Sequence, residues 1–108
     1  MNFKEYQKLA QRTSNTKHRE DKLANGLMGL NGEAGEAIDI LKKYYYQGHE
    51  LDKDKLRNEL GDVLWYIAET CVGLGTTLED IAKGNIDKLK KRYPEGFEAD
   101  KSIHRKSN

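Results

Sequence analysis

Four acidic residues form two pairs with the same spacing. Glu33 and Glu36 are three residues apart, and so are Glu59 and Asp62. On a helix this spacing places both carboxylates of a pair on one face, about 5–6 Å apart at Cβ. Two carboxylates this close repel each other unless a cation lies between them, and Mg²⁺ prefers oxygen ligands. On two facing helices, the four carboxylates could therefore enclose one ion.

The apolar residues around each pair support this interpretation. At roughly 100° per residue, apolar side chains fall in an arc beside Glu33, and others fall in the matching arc beside Glu59. We expect the two apolar faces to pack on each other, with the acids meeting at the edge of the core. The alternative is a solvated acidic face, because the chain contains 18 acidic residues and such pairs also arise by chance.

Two residues near the acid pairs could contact a ligand, and two glycines could leave room for it. Tyr66 lies one turn beyond the second pair, where it could stack on a substrate or could simply pack. Lys43 follows the first pair by about two turns and could meet phosphate oxygens, or it could be an ordinary surface lysine. Gly29 and Gly32 lie on the side of Glu36, where a larger side chain would block a ligand.

The last predicted helix carries a polar stripe. Asn85, Lys88 and Arg92 follow an i, i+3, i+7 pattern and share one face. An amide and two cations on one stripe would suit a polyphosphate, which arginine can bind through two hydrogen bonds. The alternative is a solvated basic face.

Long segments with helical spacing of apolar residues position these groups, and none shows the alternation typical of strands. The fold class is therefore predicted to be all-α. Four helices are expected, over residues 3–12, 21–46 and 52–74 and from Thr77 to Tyr93, where Pro94 ends the last one. Residues 1–94 are predicted to form a single domain and residues 95–108 a polar C-terminal tail.

Composition excludes several classes of protein. Hydrophobic residues make up 36% of the 108 residues, and a core this lean can be completed by oligomerisation. A net charge of +1 argues against a nucleic-acid binder. The single cysteine, Cys71, is expected in the core. With no signal peptide and no membrane span evident, a cytoplasmic location is predicted. The sequence contains no Glu-x-x-His pair, so a di-iron carboxylate site is not expected. It also contains no glycine-rich phosphate-binding loop.

Three motifs together resemble the MazG-type nucleotide pyrophosphohydrolases of the all-α NTP pyrophosphatase superfamily. They are Gly-Leu-Asn-Gly-Glu-Ala-Gly-Glu-Ala at residues 29–37, Glu-Leu-Gly-Asp-Val-Leu-Trp-Tyr at 59–66, and Asn-Ile-Asp-Lys-Leu-Lys-Lys-Arg-Tyr-Pro at 85–94. The resemblance covers roughly residues 27–94, in the right order and spacing.

The resemblance implies a four-helix bundle-like MazG fold, assembled as a dimer or a dimer of dimers. It implies that the four acids bind Mg²⁺, with Mn²⁺ as the alternative ion; these metal ligands are Glu33, Glu36, Glu59 and Asp62. It further implies that Asn25, Tyr66, Asn85 and Lys88 contact the nucleotide, while Lys43 and Arg92 remain candidates from their positions on the helices.

The function implied is Mg²⁺-dependent hydrolysis of a (d)NTP to (d)NMP and pyrophosphate, with a role in cleansing the nucleotide pool. Glu33 or Glu36 would orient or deprotonate the attacking water. Two alternatives remain at this stage: a phosphoribosyl-ATP pyrophosphatase, and a helical interaction module without catalysis. The expected partners are the nucleotide and further copies of the chain, without nucleic acid or membrane.

Overall fold

The computed structural model describes residues 1–104 and is all-helical over this range. Five α-helices follow one another: α1 (Phe3–Ala10), α2 (Arg19–Tyr46), α3 (Lys53–Leu74), α4 (Leu78–Arg92) and α5 (Ala99–Ile103). A short 3₁₀ turn, Gln11–Thr13, follows α1. The all-α prediction is confirmed. No helix among the described residues is both long and apolar enough to cross a membrane. The cytoplasmic location stays a prediction.

The helix ends follow local sequence signals. The side chain of Asn2 caps α1 by accepting a hydrogen bond from the Glu5 amide, and Asp52 caps α3 in the same way from the Lys55 amide. Gly75 ends α3 in the left-handed conformation, with φ of 74°, which glycine adopts without steric cost. These signals explain why the four predicted helices are present with ends close to those expected.

The chain divides into two compact units, one of residues 1–78 and one from residue 79 onward. The first contains α1, α2 and α3, together with Leu78 at the start of α4. The predicted domain of residues 1–94 stays a prediction. The predicted tail contains the short helix α5, and its last four residues, 105–108, lie outside the described part of the chain.

Helices α2 and α3 pair along a line of small residues. A methyl group added at Gly26 would overlap Thr70. One added at Gly73 would come within 2.6 Å of the Leu23 backbone nitrogen. Because the residue numbers rise on one helix as they fall on the other, the two helices run in opposite directions. Glycine lets the two backbones approach closely, and we call this line of contact the α2–α3 seam.

The expected packing of the two apolar arcs on each other is wrong at four positions. The side chains of Leu27, Ile38, Leu60 and Leu74 are 51%, 61%, 56% and 58% exposed. The helices instead meet on the adjacent face, which carries the glycines and the acids. The physical reason is the close approach that the glycines permit, which leaves these four side chains outside the contact between the helices.

The core of the first unit lies between α1 and α3. Ala10, Ala68, Cys71 and Leu78 are buried together, and Trp65 packs against them. The prediction that Cys71 is a core residue is confirmed, and burial raises the pKa of its thiol. This core holds α1 against α3.

Candidate metal centre

Three carboxylates converge in the α2–α3 seam. Glu33 comes from the middle of α2, and Glu59 and Asp62 come from successive turns of α3. One oxygen of each lies within 4.8 Å of the others, a separation that a single cation could bridge. The structure therefore brings together three of the four acids that the sequence nominates.

Two oxygens of this cluster are buried without a hydrogen-bond partner. They are Oε2 of Glu33 and Oε2 of Glu59, and the Glu59 residue is only 8% exposed. A buried polar atom that lacks a partner costs free energy, and a carboxylate costs more than a neutral group. A hard divalent cation would satisfy both oxygens, so the donor set fits Mg²⁺ or Mn²⁺.

The close approach of these acids changes the pKa of Glu33. The pKa of Glu33 is raised to about 7 from an ordinary value of 4.5. The main cause is a hydrogen bond between the protonated Glu33 carboxyl and the Glu59 carboxyl. Burial, and then the negative charges of Glu36, Glu59 and Asp62, raise it further in the same direction. In the absence of a cation, the cluster therefore holds a proton near neutral pH.

Glu36, the fourth predicted ligand, stands beside the cluster rather than within it. It is exposed and lines a groove that also contains Glu59 and Lys43. The Nζ atom of Lys43 lies 3.1 Å from Oδ2 of Asp39, one turn earlier on α2. This ion pair places a cation close to the groove, and the phosphate contact predicted for Lys43 stays a prediction.

Tyr66 lines a cleft of about 330 Å³ on another side of the cluster. Glu33, Asp62, Trp65 and Thr13 line the same cleft. The rings of Tyr66 and Trp65 meet edge to face, with centroids 5.0 Å apart. The Tyr66 ring also lies directly against Gly29. Gly29 therefore makes room for an aromatic ring of the same chain, whereas a methyl group at Gly32 would meet open space.

Sequence reasoning did not nominate Trp65 or Thr13. Trp65 stands next to Tyr66 in the second motif, so its position on α3 was a usable signal. Thr13 begins the polar stretch Thr13-Ser14-Asn15-Thr16, a composition typical of the end of a helix. Its contact with Trp65, at 3.0 Å from Oγ1 to Nε1, joins residues 52 positions apart and has no local signature.

The Asn25 side chain has a partner within the protein. Its Nδ2 atom donates to Oε2 of Glu69 over 3.0 Å. Its predicted substrate contact is not tested by this bond and stays a prediction. Asn85 and Lys88 are exposed and Arg92 is half-buried on α4, in the second unit, and their substrate contacts also stay predictions.

The chain matches the model of a known protein family. Residues 22–97 match the MazG nucleotide pyrophosphohydrolase domain. The chain belongs to this family. It is also 37% identical over 73 residues to the Gene 37 protein of Mycobacterium phage L5, a match that covers 64% of this chain and 64% of the phage protein. No solved structure matches the chain. The MazG match includes all three clustered acids and Glu36.

Proposed function

We propose that this MazG chain is a Mg²⁺-dependent nucleoside triphosphate pyrophosphohydrolase that converts a (d)NTP to a (d)NMP and pyrophosphate and helps to cleanse the nucleotide pool. The observation that carries the proposal is the convergence of Glu33, Glu59 and Asp62 within 4.8 Å, with two of their oxygens buried and unpartnered. An enzyme for triphosphates needs such a site, because its substrate arrives with bound divalent cations.

The residues present would hold the ion from both helices of the seam. Glu33, Glu59 and Asp62 supply ligand oxygens, and Glu36 completes the set from the groove. Bound Mg²⁺, or Mn²⁺ in its place, would neutralise triphosphate charge and lower the pKa of a bound water. The helices fix the carboxylates before substrate binds, so the oxygens need little rearrangement.

Of the two acids nominated as general base, we assign the role to Glu36. Glu33 lies inside the cluster, whereas Glu36 is exposed on a groove through which water can arrive. Its carboxylate would accept a proton from the water that attacks the α-phosphate. Lys88 and Arg92 would offset the charge of the leaving pyrophosphate, and Asn85, Lys43, Asn25 and Tyr66 would contact the remainder of the nucleotide.

The exposed apolar arcs favour a homo-oligomer. Leu27, Ile38 and Tyr45 follow one another along α2, and each is more than half exposed. Leu60 and Leu74 extend the apolar surface onto α3. Large exposed apolar surfaces are uncommon on monomers and are typical of interfaces. We propose that a second copy of the chain covers this face, in a dimer or a dimer of dimers.

The test is to incubate the protein with dCTP, dUTP, dTTP and ATP in the presence of Mg²⁺ and ¹⁸O-labelled water. We expect pyrophosphate as the first phosphate product and the label in the monophosphate, because water attacks the α-phosphate. Glu36→Gln should abolish turnover but only weaken Mg²⁺ binding, because the three clustered ligands Glu33, Glu59 and Asp62 remain. Asp62→Asn should abolish both. Orthophosphate as the first product would contradict the proposal, and turnover of phosphoribosyl-ATP alone would favour the alternative pyrophosphatase.

A further inference from the structure

A second buried carboxylate, Glu69, lies on α3 away from the acid cluster. It is 0% exposed, and five polar side chains surround it. Four of them donate hydrogen bonds of 2.9–3.0 Å to its carboxylate oxygens, namely Gln11, Ser14, Thr16 and Asn25. The fifth is Lys22, whose ammonium group lies 3.6 Å from Oε1 of Glu69. All five come from residues 11–25, so one acid on α3 gathers the polar groups of the chain before and at the start of α2.

Glu69 is charged in this environment. Burial alone would raise its pKa, but the hydrogen bonds from Gln11, Asn25, Thr16 and Ser14 outweigh burial and hold the pKa below its ordinary value. A buried carboxylate of this kind requires all its donors to be in place. The segment of residues 3–16, which we call the N-terminal segment, must therefore lie against α3 whenever Glu69 is buried.

The N-terminal segment also reaches the cleft beside the acid cluster. The Nε1 atom of Trp65 donates to the Ala10 carbonyl oxygen and to Thr13 Oγ1, both at 3.0 Å. These bonds occupy the polar edge of the indole. Thr13 immediately precedes Ser14, which binds both oxygens of Glu69. The anchor at Glu69 and the support of Trp65 are thus neighbouring residues of one short segment.

Gln7 holds the other end of this segment. Its Nε2 atom donates to the Thr76 carbonyl oxygen at 3.1 Å, and its Oε1 atom accepts from the Leu78 amide at 2.8 Å. Polar contacts therefore fasten the segment on both sides of Ala10 and Thr13. The position of these two residues is fixed from outside the cleft, and none of the anchoring groups at Glu69 lines the cleft itself.

We propose that Glu69 is a positioning residue for the nucleoside part of the substrate: it anchors the N-terminal segment so that Ala10 and Thr13 hold Trp65 as a wall of the cleft next to the acids. The cleft offers two aromatic surfaces, Trp65 and Tyr66, and one hydroxyl group, Thr13. A planar base suits such surfaces, because aromatic rings stack on it. This inference rests on the proposed function for its ligand, but not for the anchoring of Trp65.

The anchoring step is tested without any nucleotide. Trp65 is the only tryptophan in the chain, so intrinsic fluorescence reports on it alone. We expect Glu69→Gln to shift its emission to longer wavelength and to increase quenching by acrylamide, with far-UV circular dichroism retained. Ser14→Ala is a milder variant for the case in which Glu69→Gln does not fold. Glu20→Gln, an exposed glutamate in the first turn of α2, is the matched control. Unchanged Trp65 fluorescence in both test variants would overturn the proposal.

The ligand step compares a non-hydrolysable nucleoside triphosphate with inorganic tripolyphosphate, both with Mg²⁺. Because the cleft is assigned to the nucleoside, Glu69→Gln should weaken nucleotide binding about tenfold and leave tripolyphosphate binding within about twofold of the parent protein. With hydrolysable substrate, KM should rise more than kcat falls. Thr13→Val should reproduce the effect on the nucleotide.

The two proposals fail in different ways. Equal weakening of nucleotide and tripolyphosphate would overturn the positioning role, because it would show general loosening of the protein. If the parent protein binds neither ligand while Trp65 still responds to Glu69→Gln, the proposed function and the assignment of the cleft both fail, and the anchoring of the N-terminal segment stands.

Discussion

Gly29 of α2 lies directly against the ring of Tyr66 of α3, so closely that a methyl group on residue 29 would overlap the ring carbons. The aromatic ring cannot move far, because it also packs edge to face on Trp65. This contact lies one turn from Glu33 and links the spacing of the two helices to the shape of the cleft beside the acids.

Gly29→Ala should therefore destabilise the protein by about 1–3 kcal/mol, the usual cost of overpacking. Gly61→Ala is the matched control, since a methyl group there meets nothing within 4 Å and alanine favours a helix. Urea unfolding measures both. Equal stability of the two variants would contradict the close packing of Tyr66 on α2.

The raised pKa of Glu33 predicts a pH dependence in the metal-free protein. This acid keeps its proton in the folded state up to about pH 7, whereas the unfolded chain loses it near 4.5. The contribution of Glu33 to the free energy of unfolding is therefore complete below pH 4.5 and is lost as the pH rises to about 7. Unfolding in EDTA at several pH values should show this fall, and Glu33→Gln should flatten it. An identical slope in the two proteins would refute the assignment.

Mg²⁺ should stabilise the folded protein through the acid cluster. At a free concentration one hundred times Kd, a ligand of the folded state adds about 2.7 kcal/mol. Glu59→Gln and Asp62→Asn should each remove this gain, because each deletes one charged ligand of the cluster. Thermal unfolding with and without Mg²⁺ measures it, and the exposed Glu20→Gln should keep it. A gain that persists in both cluster variants would place the ion elsewhere.

A charge in the exposed apolar arcs should split the proposed oligomer. Leu60→Glu puts a carboxylate on the face assigned to a second copy, and burying it there would be costly. Light scattering should then report the mass of a smaller assembly. Met28→Glu is the control, because Met28 is 76% exposed and lies outside the apolar arc of α2. The assigned face is wrong if Met28→Glu dissociates the protein and Leu60→Glu does not.

Lys88 should act on the nucleotide rather than on the ion. Lys88→Ala is expected to raise KM for the triphosphate about tenfold, corresponding to roughly 1.4 kcal/mol, while Mg²⁺ binding stays unchanged. Lys90→Ala removes the same charge from nearly the opposite face of α4 and serves as control. Steady-state kinetics and calorimetry measure the two effects. Similar KM values in both variants would indicate a merely solvated basic face.

The sequence predicts the helices well, because apolar spacing, Asp52, Gly75 and Pro94 are local signals. It does not predict which faces meet. A helical wheel identifies an apolar arc on α2 and on α3, but the seam depends on backbones that approach at Gly26 and Gly73. The hydrophobicity of the side chains does not indicate where the backbones of α2 and α3 come close together.

The same distinction applies to the candidate site. The spacing of Glu59 and Asp62 places both on one face of α3, and the matching pair on α2 suggested where Glu33 would join them. The role of the residues before α2 is different, because Glu69 binds groups more than 40 positions earlier in the chain. Nothing near residue 69 distinguishes a buried acid from the many exposed ones.

Glu59 and Glu69 are both buried acids on α3, but they differ in how their carboxylate oxygens are hydrogen-bonded. Glu69 is supplied with donors by the protein, whereas Glu59 keeps an oxygen without one. A chelator should consequently loosen the two ends of the helix pair unequally. Amide hydrogen exchange would quicken first around residues 33 and 59–62, while the end near residues 22–26 and 69–73 would stay protected, so the helix pair would open from the end that carries the acid cluster.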